Sequence, residues 1–444
     1  MVPQISAGDT AWVLTATALV MLMTPALALF YGGLVRRKNV LSILMQCMFI
    51  LALVSVTWVL VGYTLAFGKD LNGWGIIGGL DNVGLKGVGT DPGPYAKTIP
   101  ASAFALFQMM FAIITPALII GAFAERKRFK AFVLFALLWS LLVYSPVAHW
   151  VWGDGGWLRN MGVLDYAGGT VVHISSGVAA LVAALVLGPR VRRESDRFEP
   201  HDVRLTVIGA GILWFGWFGF NAGSALAANG SAAQAFVSTQ LATAAALLAW
   251  IAVEKLRNGH STTLGAASGA VAGLVAITPA CGSVSSMGAI LVGLAAGAVC
   301  ALAVSLKFRF GFDDALDVVG VHLVGGMLGA LLIGFLADGA VAGAKHKGLF
   351  YGGGFAQLGK QALAVVVVVA YSFVVSYILA KIVQATIGFR ATDEEEVEGL
   401  DSSYHAETAY ELGSSFTGAF SPAAPRHSEL ATADSGGGAR KVEA

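Results

Sequence analysis

Long apolar runs constrain this chain more than any other feature. Residues 10–33, 40–67 and 358–383 each meet or exceed the roughly 20 apolar residues that a helix needs to cross a bilayer. Of the 444 residues, 56% are hydrophobic and 12% are charged, against roughly 45–50% and about 25% in a soluble domain. The pattern predicts an all-α, polytopic membrane protein. The first run follows Met1 without a basic segment, so we expect it to be retained as a helix and not cleaved as a signal peptide.

Hydropathy along the chain predicts eleven spans. They are expected near 10–33, 40–67, 100–123, 131–148, 167–187, 205–227, 233–253, 264–281, 287–306, 317–338 and 356–383. Basic residues recur in every second loop, at 36–38, 125–130, 189–197, 255–257 and 307–309. Because cytoplasmic loops carry an excess of Lys and Arg, these loops are predicted to be cytoplasmic. The N-terminus is then outside and the C-terminus, after an odd number of spans, is cytoplasmic.

A short motif recurs at the start of the fifth and tenth predicted spans. DYAGGTVVH begins at Asp165 and DVVGVH begins at Asp317, and in each an Asp and a Gly precede a His. Five spans per unit is an odd number, so the second unit is inserted upside down relative to the first. An inverted five-helix repeat places matching elements against each other near the midplane. We therefore expect His173 and His322 to meet there.

Two of the eight histidines, His173 and His322, are predicted to lie within spans, whereas His149 and His346 are assigned to outer loops. Ionisable residues at membrane depth usually line a polar path or pair with one another. A buried imidazole bonded to a backbone carbonyl is the structural alternative. Asp165 and Asp317 are expected to cap free backbone N–H groups at span starts, a structural role.

Composition and motifs disfavour several other functions. Cys47, Cys281 and Cys300 show no CxxC spacing, so neither a disulfide framework nor a zinc site is predicted, and no cofactor is expected. The sequence contains no Walker motif, so ATP-driven transport is not supported. The net charge of +1 argues against a nucleic-acid partner. No nucleophile and base fall at matching depth apart from the two histidines, so an enzyme is not expected.

Aromatic residues cluster in three motifs that bear on transport. Phe107 and Phe111 lie in FQMMF, Trp152 lies in HWVWGDGGW, and Phe220 lies in WFGWFGFNAGSA close to Ser224. Aromatic faces attract cations. The structural alternatives are an interfacial belt for Trp and core packing for Phe.

The chain contains, in order, FQMMFAIITPALIIGAFAERKRF, HWVWGDGG, DYAGGTVVHISSG, WFGWFGFNAGSALAANG, GLVAITPACG and DALDVVGVHLVGG. With these motifs it resembles ammonium transporters of the Amt/Mep/Rh family, and its AGGTVVHI and GFNAGS stretches resemble the bacterial Amt branch. The resemblance implies a homotrimer in the inner membrane, with one pore per subunit and eleven spans that contain an inverted repeat. It implies nitrogen uptake as ammonium or ammonia, with methylammonium as a further substrate.

The resemblance also implies roles for individual residues. Phe107, Trp152 and Ser224 would form an outer cation-recruitment site, with Phe111 and Phe220 as the gate beneath it. His173 and His322 would be the paired histidines of the pore. Asp165 would support structure and electrostatics near the recruitment site, and Thr278 would flank the vestibule.

We predict a transmembrane domain over 1–389 and a cytoplasmic regulatory tail over 390–444 whose end is disordered by composition. Residues 393–412 resemble the family tail that takes part in regulation by PII signal proteins, although Ala406 stands where that tail usually has Gly. Two alternatives to transport of ammonium stay open: sensing, reported through the tail, and a channel for a small polar solute such as water or urea.

The chemistry of ammonium suggests a mechanism. Moving an unpaired cation into apolar surroundings is prohibitive, and a cation–π contact compensates only about 0.5–2 kcal/mol. Ammonium, unlike potassium, can lose a proton and cross as neutral ammonia. We hypothesise recruitment, deprotonation, passage of ammonia, and separate relay of the proton through the imidazole pair. Electroneutral ammonia conduction is the alternative.

Overall fold

A computed structural model describes residues 4–191 and 198–410. Within these ranges the chain is helical, with only isolated β-bridges between loops. The helices that organise the fold are α1 Ala7–Leu34, α2 Arg37–Phe67, α3 Ala101–Ile119, α4 Phe129–Met161, α5 Gly169–Leu187, α6 Val203–Gly223, α7 Gly230–Asn258, α8 Thr263–Ile277, α9 Ser286–Phe310, α10 Val319–Leu336, α11 Ala356–Thr386, α12 Asp393–Glu398 and α13 Leu400–His405.

The predicted all-α, multi-pass architecture is confirmed. In the part of the chain that is described, ten helices are long and apolar enough to cross a membrane. The remaining predicted span, 264–281, corresponds to α8, which is apolar but has only 15 residues. The count of eleven and the orientation of the termini therefore stay predictions.

Glycines allow neighbouring helices to pack backbone against backbone. A Cβ on Gly293 of α9 would lie 2.2 Å from the carbonyl oxygen of Ala242 in α7, and one on Gly297 would lie 2.1 Å from that of Ala246. No larger side chain fits at these contacts. Because lipid offers no hydrophobic drive for helices to associate, such close packing is a main source of stability in a membrane bundle.

Four of the membrane helices contain a π-helical turn. In α2 it covers Trp58–Gly62 and in α4 it covers Ser140–Tyr144, while α5 and α10 begin with such turns at Gly169–Ile174 and Val319–Leu323. A π turn widens the helix by one residue and is common at functional sites. The last two contain the two histidines singled out from the sequence.

An ion-pair network joins the loops at the predicted cytoplasmic end. Glu125 is paired with Arg36 at 3.2 Å and with Arg190 at 3.0 Å, and Arg190 also pairs with Asp313 at 2.9 Å. Burial would raise the pKa of Glu125, but the two guanidinium groups outweigh it and hold the pKa below its ordinary value. At Asp313 burial is likewise outweighed, chiefly by Arg190, which lowers the pKa to about 2.

The described part of the predicted tail packs on this end of the bundle. Helix α12 begins with a capping box in which the Thr392 hydroxyl accepts from the Glu395 N–H and the Glu395 carboxylate accepts from the Thr392 N–H. The Asp401 carboxylate accepts from two backbone N–H groups at the start of α2. The compact unit runs through Ala409, and residues 411–444, including the segment predicted to be disordered, lie outside the described residues.

Candidate functional site

A cavity of about 220 Å³ opens on the predicted outer side of the bundle. Its lining is mainly aromatic and polar, and consists of Phe67, Tyr95, Phe104, Gln108, Phe111, Val151, Trp152, Arg159, Tyr166, Ser224 and Leu226. The Trp152 indole N–H donates to the Asp165 carbonyl at 2.9 Å, which fixes the ring. The Ser224 hydroxyl donates to the Phe220 carbonyl at 2.9 Å, so its oxygen retains lone pairs to accept a further bond.

Two phenylalanines separate this outer cavity from the interior. The rings of Phe111 and Phe220 have their centroids 4.3 Å apart, and each side chain is only 1% exposed. Trp152 meets Phe111 edge to face at 5.9 Å. The two phenyl rings therefore form an apolar barrier under the cavity.

Phe107 does not line the outer cavity. It is fully buried and meets Phe111 edge to face, with the ring centroids 5.0 Å apart. Gly223 makes room for it, because a Cβ there would lie 2.8 Å from the Phe107 ring. The structure thus places Phe107 behind Phe111, where it supports the barrier, and not on the recruitment surface for which the resemblance nominated it.

His173 and His322 contact each other beyond the barrier, as the repeated motif predicted. Their Nδ1 atoms are 3.2 Å apart and their ring centroids 5.3 Å apart. Both are buried, and Trp217 stacks on His173 at 5.5 Å. A hydrogen bond between two neutral Nδ1 atoms requires opposite tautomers, one ring protonated at Nδ1 and the other at Nε2. The Nε2 atom of His173 has no hydrogen-bond partner in the described chain.

The histidine pair lies between two voids. A narrow void of about 10 Å³ is lined by both histidines, Phe220, Trp217 and apolar side chains. A wider one of about 190 Å³, which opens on the predicted cytoplasmic side, is lined by His322 together with Lys307 and Asp317. Phe220 and the histidines thus connect the outer cavity, the barrier and the inner cavity in one row.

Close glycine contacts hold the two histidine turns together. A Cβ on Gly177 of α5 would lie 2.5 Å from the backbone nitrogen of Leu323, and one on Gly326 of α10 would lie 3.0 Å from the Cβ of His173. Helices α5 and α10 thus each contribute a glycine that lets the backbone of the other helix approach closely. The imidazole contact depends on this approach of backbones.

Known proteins resemble this chain over most of its length. The model of the Ammonium Transporter Family matches residues 11–410. The chain belongs to this family of ammonium transporters. An ammonium transporter of Bacillus subtilis is 53% identical over 405 residues, which cover 91% of this chain and 98% of the relative. An ammonium transporter of Mycobacterium tuberculosis is 52% identical over 435 residues, which cover 91% and 90%.

Solved structures agree with the family. Mep2 of Saccharomyces cerevisiae is 37% identical and superposes with a TM-score of 0.81, covering 88% of this chain and 89% of Mep2. A chain described as a sensor Amt protein is 29% identical, with a TM-score of 0.82 and coverage of 89% and 98%. The protein is accordingly a multi-pass membrane transporter of ammonium and not an enzyme.

Asp165 of this ammonium transporter caps the first histidine turn. Its carboxylate accepts from the backbone N–H groups of Gly168, Gly169 and Thr170 at 2.6–2.8 Å and from the Thr170 hydroxyl. The side chain is only 8% exposed. This is the structural arrangement that the sequence predicted for Asp165.

The matching prediction for Asp317 was wrong. Its carboxylate pairs with Lys307 at 2.6 Å, whereas Asp314 accepts from the N–H groups of Val318 and Val319 at 3.1 and 2.7 Å. Asp165 precedes His173 by eight positions and Asp314 precedes His322 by eight (173 − 165 and 322 − 314). The equal spacing identifies Asp314 as the true counterpart, which the comparison of DYAGG with DVVG overlooked.

The predicted position of His149 in an outer loop was also wrong. It lies in α4, is fully buried, and its Nδ1 and Nε2 atoms contact the Ala66 carbonyl at 3.0 Å and the Asp70 carboxylate at 2.9 Å. The helix continues past the predicted end at residue 148 through Ser145–Trp152, and this histidine stays inside the protein. Its two partners fit the structural alternative weighed for a buried imidazole.

Thr278 does not line the outer cavity. It is buried, and its hydroxyl accepts from the indole N–H of Trp217 at 2.8 Å. Since Trp217 stacks on His173, Thr278 fixes the ring that orients the histidine. Trp217, Gln108 and Arg159 were not predicted as site residues from the sequence. A polar residue inside FQMMF was the available signal for Gln108.

Proposed function

We propose that this ammonium transporter binds NH₄⁺ in the outer cavity, removes one proton, and conducts NH₃ past Phe111 and Phe220 along the histidine pair. The observation that supports the proposal is the order in which three different surroundings follow one another from the outer side inwards. A polar aromatic cavity is followed by an apolar barrier and then by two contacting imidazoles.

The outer cavity offers the groups that a small cation needs. The Trp152 ring supplies a π face, which attracts a cation by about 0.5–2 kcal/mol. Ser224 and Gln108 supply acceptor oxygens. The Gln108 Oε1 atom is buried and has no hydrogen-bond partner in the described chain. Together these groups replace part of the water shell of ammonium.

The barrier and the void beyond it favour a neutral molecule. Phe111 and Phe220 offer no acceptor to an ion, and the void of about 10 Å³ has mostly apolar walls. Desolvating a charge without a partner costs far more than desolvating a neutral amine. Ammonium passes by leaving its proton behind, while potassium of similar size is refused.

The histidine pair is suited to carry that proton separately. A proton that reaches the unpartnered Nε2 of His173 allows the proton between the two Nδ1 atoms to shift to the other ring. The second ring then releases the proton from its own Nε2. This transfer needs two neutral rings of opposite tautomer, which is the arrangement that the 3.2 Å contact requires.

The test is solid-supported-membrane electrophysiology on the purified chain in liposomes, with a pulse of ammonium and then of potassium. We expect a current with ammonium and none with potassium. His173→Leu and His322→Leu should each abolish the current. His260→Ala, which changes a histidine in an exposed loop, is the matched control and should leave it intact.

An unchanged current in either Leu variant would overturn the relay. Alkalinisation of the liposome lumen without any current in the wild-type chain would favour electroneutral ammonia conduction. A potassium current of similar size would exclude the deprotonation step.

We further propose the assembly and partners implied by the family: a homotrimer in the inner membrane that also accepts methylammonium, a transmembrane domain over 1–389, and a tail over 390–444 that binds a cytoplasmic PII protein. The packing of α12 and α13 on the loops supports a regulatory tail, because a partner that moves them would also move the start of α2. Native mass spectrometry tests the trimer, and co-elution with a PII protein tests the partner.

Sensing is the second candidate function. The superposition with a chain described as a sensor Amt protein favours it. If the protein senses without transporting, liposomes should show neither a current nor alkalinisation, while ammonium should still bind to the purified chain.

A further inference from the structure

Arg159 supplies a positive charge at the cavity that recruits a cation. Among the described residues it is the one charged side chain in the lining of the outer cavity. Its guanidinium donates to the Trp152 carbonyl at 2.9 Å and lies 5.9 Å from the centroid of Tyr95. These contacts hold the charge in place at the wall, although the side chain is 45% exposed.

The charge of Arg159 is only weakly compensated. The nearest carboxylate oxygen, on Asp154, is 3.9 Å away, and the Asp154 side chain is 75% exposed and does not line the cavity. Exposed pairs of this kind interact weakly because water screens both partners. Because Arg159 lines the cavity and Asp154 does not, a cation inside the cavity lies nearer to the positive charge, and Asp154 offsets the repulsion only in part.

We propose that Arg159 is a specificity-determining residue that selects cations by valence, so that monovalent ammonium occupies the outer cavity and divalent cations are excluded. The inference rests on the proposed recruitment of ammonium in this cavity. A cavity with acceptor oxygens and a π face attracts any small cation, and it would bind Mg²⁺ or Ca²⁺ as an obstruction. A fixed positive charge opposes them more strongly than it opposes ammonium.

The selectivity between monovalent and divalent cations follows from the charge of the cation that enters the cavity. If Arg159 weakens the occupancy of a monovalent cation by a factor f, it weakens that of a divalent cation at the same place by f squared, since the electrostatic free energy is proportional to charge. For charges about 7 Å apart in water-like surroundings, f is about 3 and its square about 10. Neutral ammonia is unaffected, so the filter acts at recruitment and leaves later steps unchanged.

The experiment compares wild type, Arg159→Gln, Arg159→Lys and Asp154→Asn in liposomes at low ionic strength. Two quantities are measured: the ammonium concentration that gives half-maximal current and, at an ammonium concentration well below that value, the Mg²⁺ concentration that halves the current. A bulky organic cation chloride keeps the ionic strength constant while Mg²⁺ varies. Arg159→Gln removes the charge, whereas Arg159→Lys keeps the charge but replaces the guanidinium that donates to the Trp152 carbonyl, so the two variants separate the charge from that contact.

Arg159→Gln should lower the ammonium concentration for half-maximal current about threefold. It should lower the Mg²⁺ concentration that halves the current about tenfold, the second factor being the square of the first. Asp154→Asn should shift both values in the opposite direction, and Arg159→Lys should stay near wild type. At high salt the differences should vanish, because the Debye length falls to about 3 Å at 1 M.

Two results would overturn the valence filter alone. One is equal shifts of the ammonium and Mg²⁺ values in Arg159→Gln. The other is an ammonium value that rises and stays raised at high salt, which would make Arg159 a positioning residue for Trp152. A wild-type chain without ammonium-evoked current or alkalinisation would overturn the proposed function together with the filter. Gel filtration of each variant checks that it is folded.

Discussion

Gln108 is a polar side chain in an otherwise apolar helix, and its amide lies at the wall of the outer cavity. We expect Gln108→Leu to raise the ammonium concentration for half-maximal current about ten- to hundredfold, because a hydrogen bond to a charged group is worth about 1.5–3 kcal/mol. The maximal current should change little. The measurement is the ammonium titration of the current in liposomes.

Gln46→Leu is a matched control for that substitution. Gln46 is also buried, and its Oε1 atom also has no partner in the described chain, but it lies in α2 and lines none of the cavities on the pathway. If Gln46→Leu shifts the titration as much as Gln108→Leu, then loss of a buried amide and not loss of a cation ligand explains the effect.

Asp165 and Asp314 should respond alike to substitution, whereas Asp317 should not. Asp165→Asn and Asp314→Asn each place an amide N–H₂ among backbone N–H donors, which we expect to destabilise the fold by about 1–3 kcal/mol. Asp317→Asn removes a pair with Lys307 whose carboxylate is 40% exposed, and should cost at most about 1 kcal/mol. Thermal unfolding in detergent measures all three. Equal losses at Asp314 and Asp317 would contradict the corrected pairing of the repeats.

At the scale of elements, the contact between α5 and α10 decides whether the imidazoles meet. Gly177→Ala adds a Cβ 2.5 Å from the Leu323 backbone, and backbone cannot move aside as a flexible side chain does. We expect the variant to reach the membrane but to lose most of its ammonium current. Gly211→Ala is the matched control. A Cβ there meets nothing within 4 Å, so its current should equal that of the wild type.

The residue that ends α13 has an unfavourable backbone conformation. Ala406 caps this helix with φ of 54°, in the left-handed region where glycine is favoured. Ala406→Gly should therefore stabilise the end of the tail helix by about 1 kcal/mol. Slower hydrogen exchange in 400–409 would report it. Ala409→Gly, at a position without positive φ, should instead leave the exchange unchanged or faster.

The sequence predicted the helices well because a bilayer imposes a length and a composition that hydropathy reports directly. It predicted the contact of His173 with His322 because an odd repeat must be inverted. It did not predict the π turns, since one extra residue in a helix leaves no mark on apolar periodicity. His149 was assigned to a loop because the predicted span ended at residue 148, whereas the helix continues through Trp152. Asp314 was missed because Asp317 follows it in DALDVVG and gave the apparent match to Asp165.

At the scale of the whole molecule, the loop network makes the predicted cytoplasmic end sensitive to acid. The pKa of Asp313 is about 2 in the folded protein against an ordinary 3.8, so its ionised form is stabilised by folding. That contribution is complete above about pH 4 and is lost as the pH falls through about 2. The unfolding temperature should therefore drop across this window. Asp313→Asn should be less stable at pH 5 and show a smaller drop.

The contact between two Nδ1 atoms holds a single proton, so the two equivalent histidines must differ in tautomer. In the proposed relay, one passage leaves each ring in the other tautomer, with a proton now on the Nε2 of His173 that first received it. The next proton travelling the same way finds that entrance occupied until both rings have rearranged. Transport in one direction would then have a refractory interval after each proton. The length of this interval would set a maximum rate of proton transfer that no excess of ammonium can raise.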